Sequence, residues 1–506
     1  MKQLIVDEKR AEELREELPD LPVWDLTQRQ SWDLDLLQNG AFSPLEGYLA
    51  KDDYDSVCEK MRLGDGTLWP MPITLDVTVE LAERLTAGGK VALRHPEGMV
   101  IAVLNIKDIW EPDLRKEAQG VFGTTDDKHP GVAYLFHSSN PVYVGGSIEG
   151  IEPVPYHTYR DLRYTPAELR AQFEKKGWQK VVAFQTRNPL HRAHVELTRR
   201  AIKKADANLL LHPVVGLTKP GDVDYFSRVR CYQAVIANYP ERRSTMLSLL
   251  PLAMRMGGPK EALWHAIIRK NYGCSHFIVG RDHAGPGADS KGNPFYPPYG
   301  AQELVSEYEE ELQIKMVDFE EMVYVEDLGN YMPRSEVAED AKILSLSGTE
   351  LRRRLREGLE IPEWFSYPQV IEELRRTHPP RDRQGVTIFL TGLPGTGKNT
   401  VASILTSKLL EYGNKQVTLL DRSAIRQYIS NELGHSRTEA DTVVRRLGFI
   451  AQEITKNRGI AICAYIAPSK STRDEARELI AQNGSFIEVH LYAEEELRRS
   501  RDRHGT

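Results

Sequence analysis

An apolar strand that breaks into a polar turn and then into an amphipathic helix restricts the fold of this chain more than any other feature. Val181-Val-Ala-Phe is the strand and Gln185-Thr-Arg-Asn-Pro-Leu-His-Arg-Ala-His194 the turn, while Val195-Glu-Leu-Thr-Arg-Arg-Ala-Ile carries apolar residues at helical spacing. The same reading predicts strands in Ala207-Asn-Leu-Leu-Leu-His-Pro-Val-Val and His276-Phe-Ile-Val-Gly. Strands that alternate with helices form a doubly wound, Rossmann-like parallel sheet, which binds ligands beyond the carboxyl ends of its strands. The fold class is α/β, and the turn from Gln185 to His194 lies where such a sheet holds a ligand.

The chain is too long for a single core: 506 residues correspond to about three domains. Residues 1–160 mix β-like runs, such as Lys90-Val-Ala-Leu-Arg and Met99-Val-Ile-Ala-Val-Leu, with Gly/Pro turns and few strongly amphipathic helices, which reads as a β-rich domain. Residues 161–325 hold the doubly wound pattern. Residues 326–376 read as a small helical third domain, because Leu346-Ser-Gly-Thr-Glu offers a capped start to the arginine-rich helix Leu351-Arg-Arg-Arg-Leu. The polar segment 377–385 reads as a linker, and Val386-Thr-Ile-Phe-Leu-Thr opens a second α/β domain, 386–506.

A net charge of −7 and a pI of about 6.1 leave no global positive field for a nucleic-acid backbone or an anionic membrane, so neither is expected as a partner. Any anionic substrate then needs local positive groups. Cys58, Cys231, Cys274 and Cys463 are scattered without a CxxC pair, which fits a reducing cytoplasm better than a disulfide framework or a zinc site. The opening residues show no basic region leading into an apolar stretch, and no apolar run of about 18 residues follows, so no secretion or membrane signal is expected.

At a strand-to-helix junction, backbone N–H groups and the helix dipole favour bound phosphate. If the helix starts near Pro189, His191 and His194 share a face of its first turn and reach the same anion. Arg187 adds a fixed charge on a planar fork suited to tetrahedral oxyanions. The histidines also fit a plain helix cap, and these residues alone leave that reading open. A zinc-protease motif is excluded, because HExxH needs histidines four apart with a glutamate between them, whereas Arg192 and Ala193 separate these two. Ile278-Val-Gly-Arg-Asp-His-Ala-Gly-Pro-Gly287 repeats the chemistry: Gly280, Gly285 and Gly287 let the backbone approach a ligand, and Arg281 and His283 bring donors to an anion.

These two segments, together with Leu247-Ser-Leu-Leu-Pro-Leu-Ala-Met-Arg-Met and Glu261-Ala-Leu-Trp-His-Ala-Ile-Ile-Arg-Lys-Asn-Tyr-Gly-Cys, resemble the ATP sulfurylase (sulfate adenylyltransferase) family. The likeness extends to Asn39-Gly-Ala-Phe-Ser-Pro-Leu-Glu-Gly-Tyr48, Ser347-Gly-Thr-Glu-Leu-Arg-Arg-Arg and Ile361-Pro-Glu-Trp-Phe-Ser-Tyr-Pro, and covers essentially residues 1–375. It implies a PUA-like amino-terminal domain and a nucleotidyltransferase domain that joins sulfate to the α-phosphate of ATP, or makes ATP from adenylylsulfate and pyrophosphate. By the same resemblance, sulfate contacts Gln185, Arg187 and the Ala284 backbone. ATP would lie along Gln185, Thr186, Arg187 and Asn188 and along Gly280, Arg281, Asp282 and His283, with Val323 beside adenine. For Val323, the residues by themselves favour simple core packing. The expected catalytic set is Thr186, Arg187, Asn188, His191 and His194. Sulfate is a poor nucleophile approaching a polyanion, so Arg187 and Asn188 would align it with the α-phosphate while the histidines stabilise charge on the bridging and pyrophosphate oxygens. Magnesium is expected with ATP, held mainly by phosphate oxygens and water, because the sequence shows no dedicated carboxylate cage. The family also implies a homo-oligomer.

Gly392-Leu-Pro-Gly-Thr-Gly-Lys-Asn399 follows the strand Thr387-Ile-Phe-Leu and fits the P-loop pattern GxxxxGK[ST] at every position but the last. Gly392, Gly395 and Gly397 would cradle phosphates and Lys398 would reach the β/γ-phosphates, but Asn399 replaces the magnesium-binding hydroxyl and Thr400 comes one place late. Residues 386–506 resemble adenylylsulfate (APS) kinase through this loop, Arg445-Arg-Leu-Gly and Phe486-Ile-Glu-Val. Arg426 is kept. Asp421-Arg422-Ser423 stands for the family's Asp-Gly-Asp, however, and Ala440 and Val443 stand where that family has an arginine and an asparagine. Ile466-Ala-Pro-Ser-Lys470 replaces Ile-Ser-Pro-Tyr-Arg, and Arg503-His-Gly-Thr506 comes before the lid and final elements of a complete kinase. These losses remove a candidate base and part of the hold on an anionic substrate, so kinase activity is expected to be weak or lost. The alternatives are a bifunctional sulfurylase and kinase, or a nucleotide-binding regulatory or oligomerisation module, as in fungal ATP sulfurylases with an allosteric kinase-like domain.

Overall fold

The computed structural model describes residues 2–218, 222–434 and 436–501, so the final residues Arg503 to Thr506 lie outside it. The chain divides into two compact units: residues up to Ser345 with Pro362–Val370, and Leu346–Ile361 with residues from Ile371 onward.

The first unit begins with a six-stranded sheet of β1 (Val23–Asp25), β2 (Gly47–Tyr48), β3 (Leu75–Val77), β4 (Lys90–Arg94), β5 (Val100–Trp110) and β6 (Val142–Gly150). The order is β1-β4-β5-β6-β2, with β3 also on β6. The apolar runs noted above are β4 and the start of β5. Beyond them β5 continues through a bulge between Ile106 and Asp108 to the buried Trp110. The region is more mixed than a β-rich reading allows, because the helices Glu8–Glu17, Gln28–Gln38, Lys51–Lys60, Leu114–Phe122 and Pro130–His137 lie among the strands. Side-chain caps start several of them, with Asp7, Thr27 and Asp113 accepting hydrogen bonds from first-turn N–H groups. Gln28–Gln38 also buries Gln30, Ser31 and Asp33 beside its leucines, so it carries no clean apolar stripe to read.

The central sheet contains β7 (Val181–Phe184), β8 (Asn208–Leu211), β9 (Thr245–Leu247), β10 (His276–Val279) and β11 (Lys315–Asp318), in the order β11-β10-β7-β8-β9. Every pairing is parallel. The strand order reverses between β7 and β10, which makes the crevice beyond their carboxyl ends the topological switch point. One apolar cluster runs without a break from Leu4 to Ile314, so the amino-terminal and central regions share a core. Phe42 is fully buried at this junction, 5.9 Å from Trp69 and 5.2 Å from Trp264 between ring centroids.

The segment read as helical is mixed. β12 (Met322–Val325), β13 (Asn330–Pro333) and β14 (Ile343–Leu344) form an antiparallel sheet, followed by the helices Gly348–Glu357 and Pro368–Thr377. Ser347 does cap the first helix, its Oγ accepting from Glu350 N–H at 3.1 Å. These strands are two to four residues long, too short to signal themselves by alternation. In the second unit β15 (Val386–Thr391), β16 (Val417–Leu420), β17 (Ile460–Ala464) and β18 (Ser485–His490) form a parallel sheet in the order β16-β17-β15-β18. The segment read as a linker holds a short 3-10 turn, Arg381–Arg383. All four cysteines are buried thiols outside any disulfide, and no described helix is long and apolar enough to cross a membrane.

Candidate active site

β7 ends at Phe184, and the helix after the first turn runs Arg192–Ala205, three residues later than a start near Pro189 would give. The reason is capping: the His191 N–H donates to Nδ1 of His194 at 3.1 Å, a role usually filled by an acidic or amide side chain. Because Nδ1 of His194 accepts, its proton resides on Nε2. His191 Nδ1 lies 2.8 Å from Ser366 Oγ, and the ring packs on Phe365 at 4.6 Å. The two imidazoles do lie together, 5.9 Å between centroids. Burial pushes the pKa of His191 down to about 3, with His194 adding to the effect, and that of His194 down to about 4. Both are neutral near pH 7 and act as dipoles, not cations.

Thr186 Oγ1 accepts from Asn188 N–H at 3.0 Å, and Tyr232 donates its hydroxyl to the Asn188 carbonyl at 2.9 Å, which pins the turn and leaves the Asn188 side chain exposed. Oε1 of Gln185 is buried without a protein partner among the described residues. Arg187 is not the bare cation its sequence context implied. Its Nη1 lies 2.7 Å from both carboxylate oxygens of Asp222, so the guanidinium already has a carboxylate with which an anion would compete.

In the second turn two residues other than glycine also bend the backbone. Asp282 and Ala284 take left-handed conformations, each with φ +53°, on either side of His283. Such strain costs about 1–3 kcal/mol per residue and gathers at functional sites. It is held by Asp282 N–H donating to the Pro298 carbonyl at 2.8 Å and Gly258 N–H donating to the Ala284 carbonyl at 3.3 Å. At Gly280 an added Cβ would meet no protein atom, at Gly285 it would lie 3.1 Å from the Asp282 carbonyl oxygen, and Gly287 has a φ of +108°. Arg281 keeps 44% of its side chain exposed, 3.8 Å from Glu321. His283 is held neutral: burial pushes its pKa well down, and the neighbouring His265, Arg269 and Arg187 add to this. Its Nε2 lies 3.0 Å from His265 Nδ1, so one of its nitrogens is already committed within the protein.

A cavity of about 380 Å³ joins the two turns, with Arg187, Arg281, Asp282, His283, Gly285 and Tyr296 among its walls. Gln185, Thr186, Asn188, His191 and His194 lie outside those walls. Val323, on β12 opposite Met332, is half-buried rather than a core residue. A wider cavity of about 950 Å³, beside Arg115, Asp126 and Lys291, contains none of the candidate residues. Asp222, Tyr232, His265 and Ser366 carry no role in the reading from sequence. Glu261, His265 and Ser366 do fall within the runs that carry the family resemblance, the one signal that pointed near them.

In the second unit the P-loop follows the inner strand β15. Gly395 is obligatory: its φ is +79°, and an added Cβ would lie 2.6 Å from the Arg498 carbonyl. Lys398 donates to the Gly392 and Leu393 carbonyls at 2.8 and 2.9 Å, and burial, with Arg422 adding, lowers its pKa to about 8. Gly397 precedes the helix Lys398–Tyr412, whose first turn exposes Asn399 and Thr400. Asp421 caps the next helix by accepting from Ala424 N–H at 3.0 Å, and Ser423 is exposed. Arg426 donates to the Ser430 and Leu433 carbonyls. Ala440 is half-buried, whereas Val443 is 2% exposed and packs in the core. Asp441, which the sequence did not single out, accepts from the hydroxyls of Ser469 and Thr472.

A doubly wound sheet with arginine- and histidine-bearing turns at its switch point, in one chain with a P-loop unit, defines a nucleotide-handling enzyme. Family comparison matches residues 1–153 to the PUA-like domain, 160–377 to ATP-sulfurylase and 384–506 to adenylylsulphate kinase. A sulfate adenylyltransferase of Phaeosphaeria nodorum is 52% identical over 509 residues, covering 100% of this chain and 88% of its own. One from Yarrowia lipolytica is 52% identical, covering 95% of this chain and 84% of its own. A solved structure described as a hexameric APS kinase from Thiobacillus denitrificans is 38% identical with a TM-score of 0.84, covering 97% of this chain and 90% of that one. The chain belongs to the sulfate adenylyltransferase (ATP sulfurylase) family and carries an adenylylsulfate kinase domain.

Proposed function

We propose that the β7/β10 crevice catalyses adenylyl transfer between ATP and sulfate, giving adenylylsulfate and pyrophosphate, in either direction. The observation that carries this reading is that Arg187, Arg281 and His283, from two separate strand ends, wall one cavity at the switch point. Gln185, Arg187 and the Ala284 backbone take sulfate. Gln185 to Asn188, Gly280 to His283 and Val323 take ATP. Arg187 and Asn188 place sulfate in line with the α-phosphorus; one sulfate oxygen forms the bond to phosphorus as the bond to pyrophosphate breaks, so no covalent enzyme intermediate is needed. Neutral His191 and His194, with Thr186 beside them, donate N–H bonds to the oxygens that gain charge. Magnesium, carried in on the triphosphate and its water, neutralises phosphate charge when bound. Among the described residues no three His, Cys, Asp or Glu side chains gather as a cation site. Arg187→Ala should cut sulfate-dependent pyrophosphate release by about 10²–10³-fold without unfolding the chain, as the loss of an oxyanion donor does. Near-normal activity in that variant would refute the assignment.

The P-loop unit binds nucleotide through Gly392, Gly395, Gly397, Lys398, Asn399 and Thr400 but transfers phosphate weakly or not at all. Support comes from the core position of Val443 and from Ser423 in place of a carboxylate. Purified chain supplied with adenylylsulfate and ATP decides between the readings. Robust 3′-phosphoadenylylsulfate formation would establish a bifunctional enzyme, and nucleotide binding without product would favour a regulatory or oligomerisation module. We further propose that the protein works in the cytoplasm as a homo-oligomer, with 326–376 as its third domain.

A further inference from the structure

Behind His283, itself a wall of the cavity, lie two buried side chains, Glu261 and His265, that continue it as a chain of three. Glu261 and His265 sit one turn apart on the helix Gly258–Asn271, and both are 0% exposed. Glu261 Oε1 accepts from Arg255 N–H at 3.0 Å and Oε2 from Gly257 N–H at 2.7 Å. Burial alone would raise the Glu261 pKa, but His265 and these two N–H donors, which favour the charged form, bring it below its ordinary value, so the group is a carboxylate, an acceptor at both oxygens. His265 Nε2 lies 3.2 Å from Oε1 and therefore carries the hydrogen, although its angle is too oblique for a full hydrogen bond.

The rest follows by elimination. Burial, with the cation of Arg269 adding, holds His265 neutral, so its Nδ1 is bare. That nitrogen lies 3.0 Å from His283 Nε2, which must then be the donor. His283 is neutral too, so its Nδ1 keeps a lone pair.

We propose that Glu261 and His265 are positioning residues that lock His283 in the Nε2–H tautomer and in one ring orientation, so that it enters the site as a fixed hydrogen-bond acceptor. Only one end of this chain needs a negative charge to set the tautomer at the other, the arrangement by which buried carboxylates orient functional histidines. It reverses the expectation from sequence that His283 brings a donor to an anion. The ligand group that meets His283 is then a donor, an N–H or a bound water, while the arginines meet the anionic oxygens. The rate effect rests on the adenylyl-transfer reading, whereas the tautomer does not depend on it.

Histidine side-chain nitrogen NMR on the full isotope-labelled chain, with the His283 signal assigned by its loss in His283→Asn, should show His283 protonated at Nε2 and bare at Nδ1. A proton on Nδ1, or a charged ring near pH 7, overturns the proposal whatever the activity. His265→Gln keeps an N–H toward Glu261 but offers no acceptor at the Nδ1 position. It should therefore release His283 to a tautomer mixture and lower kcat by about 10- to 100-fold, with KM for ATP changed far less. Glu261→Gln should act in the same direction. A folded His265→Gln with an unchanged tautomer, or with unchanged kcat, refutes the relay while leaving the Arg187→Ala test of adenylyl transfer intact.

Discussion

Removing one partner of the Asp33–Arg255 ion pair should destabilise the first unit more than most single changes. The carboxylate of Asp33, on the helix Gln28–Gln38, lies 2.6 Å from Arg255 Nη2, and both side chains are only 2% exposed. Arg255 also donates Nη1 to the Ala253 carbonyl at 2.6 Å and stands 5.6 Å from the Trp264 ring centroid. Burial, with the nearby Arg29 adding, lowers the Arg255 pKa, so the cation depends on Asp33. Breaking such a pair costs about 3–5 kcal/mol, because one charge stays buried without compensation. Asp33→Ala should lose about that much, whereas Asp33→Leu with Arg255→Met should recover most of it, since apolar replacement of both partners is often neutral. Tryptophan fluorescence in urea isolates the effect, because all seven tryptophans, Trp24, Trp32, Trp69, Trp110, Trp178, Trp264 and Trp364, belong to the first unit. An Asp33→Ala midpoint equal to that of the native chain, or a double variant as unstable as the single one, would refute the reasoning. Activity should fall with stability, because the Arg255 backbone also donates to Glu261.

Asp222→Asn removes the carboxylate with which an incoming anion competes for Arg187, and binding of a sulfate analogue, followed by calorimetry, should tighten about tenfold, or 1.4 kcal/mol; weaker binding would contradict the competition. His191 and His194 have folded pKa values of about 3 and 4 against 6.5 unfolded, so the unfolded chain binds more protons in that window. Tryptophan-monitored stability should therefore fall as pH drops from 6.5 toward 4, by up to about 1.4 kcal/mol per pH unit for each ring; a rise on acidification would exclude buried neutral imidazoles. Gly395→Ala sets a Cβ against the Arg498 carbonyl at a positive φ, and should abolish binding of a fluorescent ATP analogue to the P-loop unit while sparing adenylyl transfer.

The sequence by itself determined the elements whose signals are local. β4, β7 and β10 are short apolar runs ended by turn residues, the Ser347 cap lies three residues from its partner Glu350, and the P-loop reads as strand, glycines and lysine. A chain folds these by satisfying near neighbours, so spacing is enough to find them. Gln185 to His194 and Gly280 to Gly287 were legible as strand-end turns for the same reason. Only the tertiary structure brought Arg187 of the first and Arg281 and His283 of the second to one cavity, because the parallel crossovers that place β10 beside β7 act over distances no local pattern encodes. It alone paired His191 with Ser366, 175 residues away, and Arg187 with Asp222, and set His265 behind His283. It also decided charge: an imidazole is neutral or cationic according to how much water its surroundings exclude, and burial is a property of the packed fold rather than of the residue.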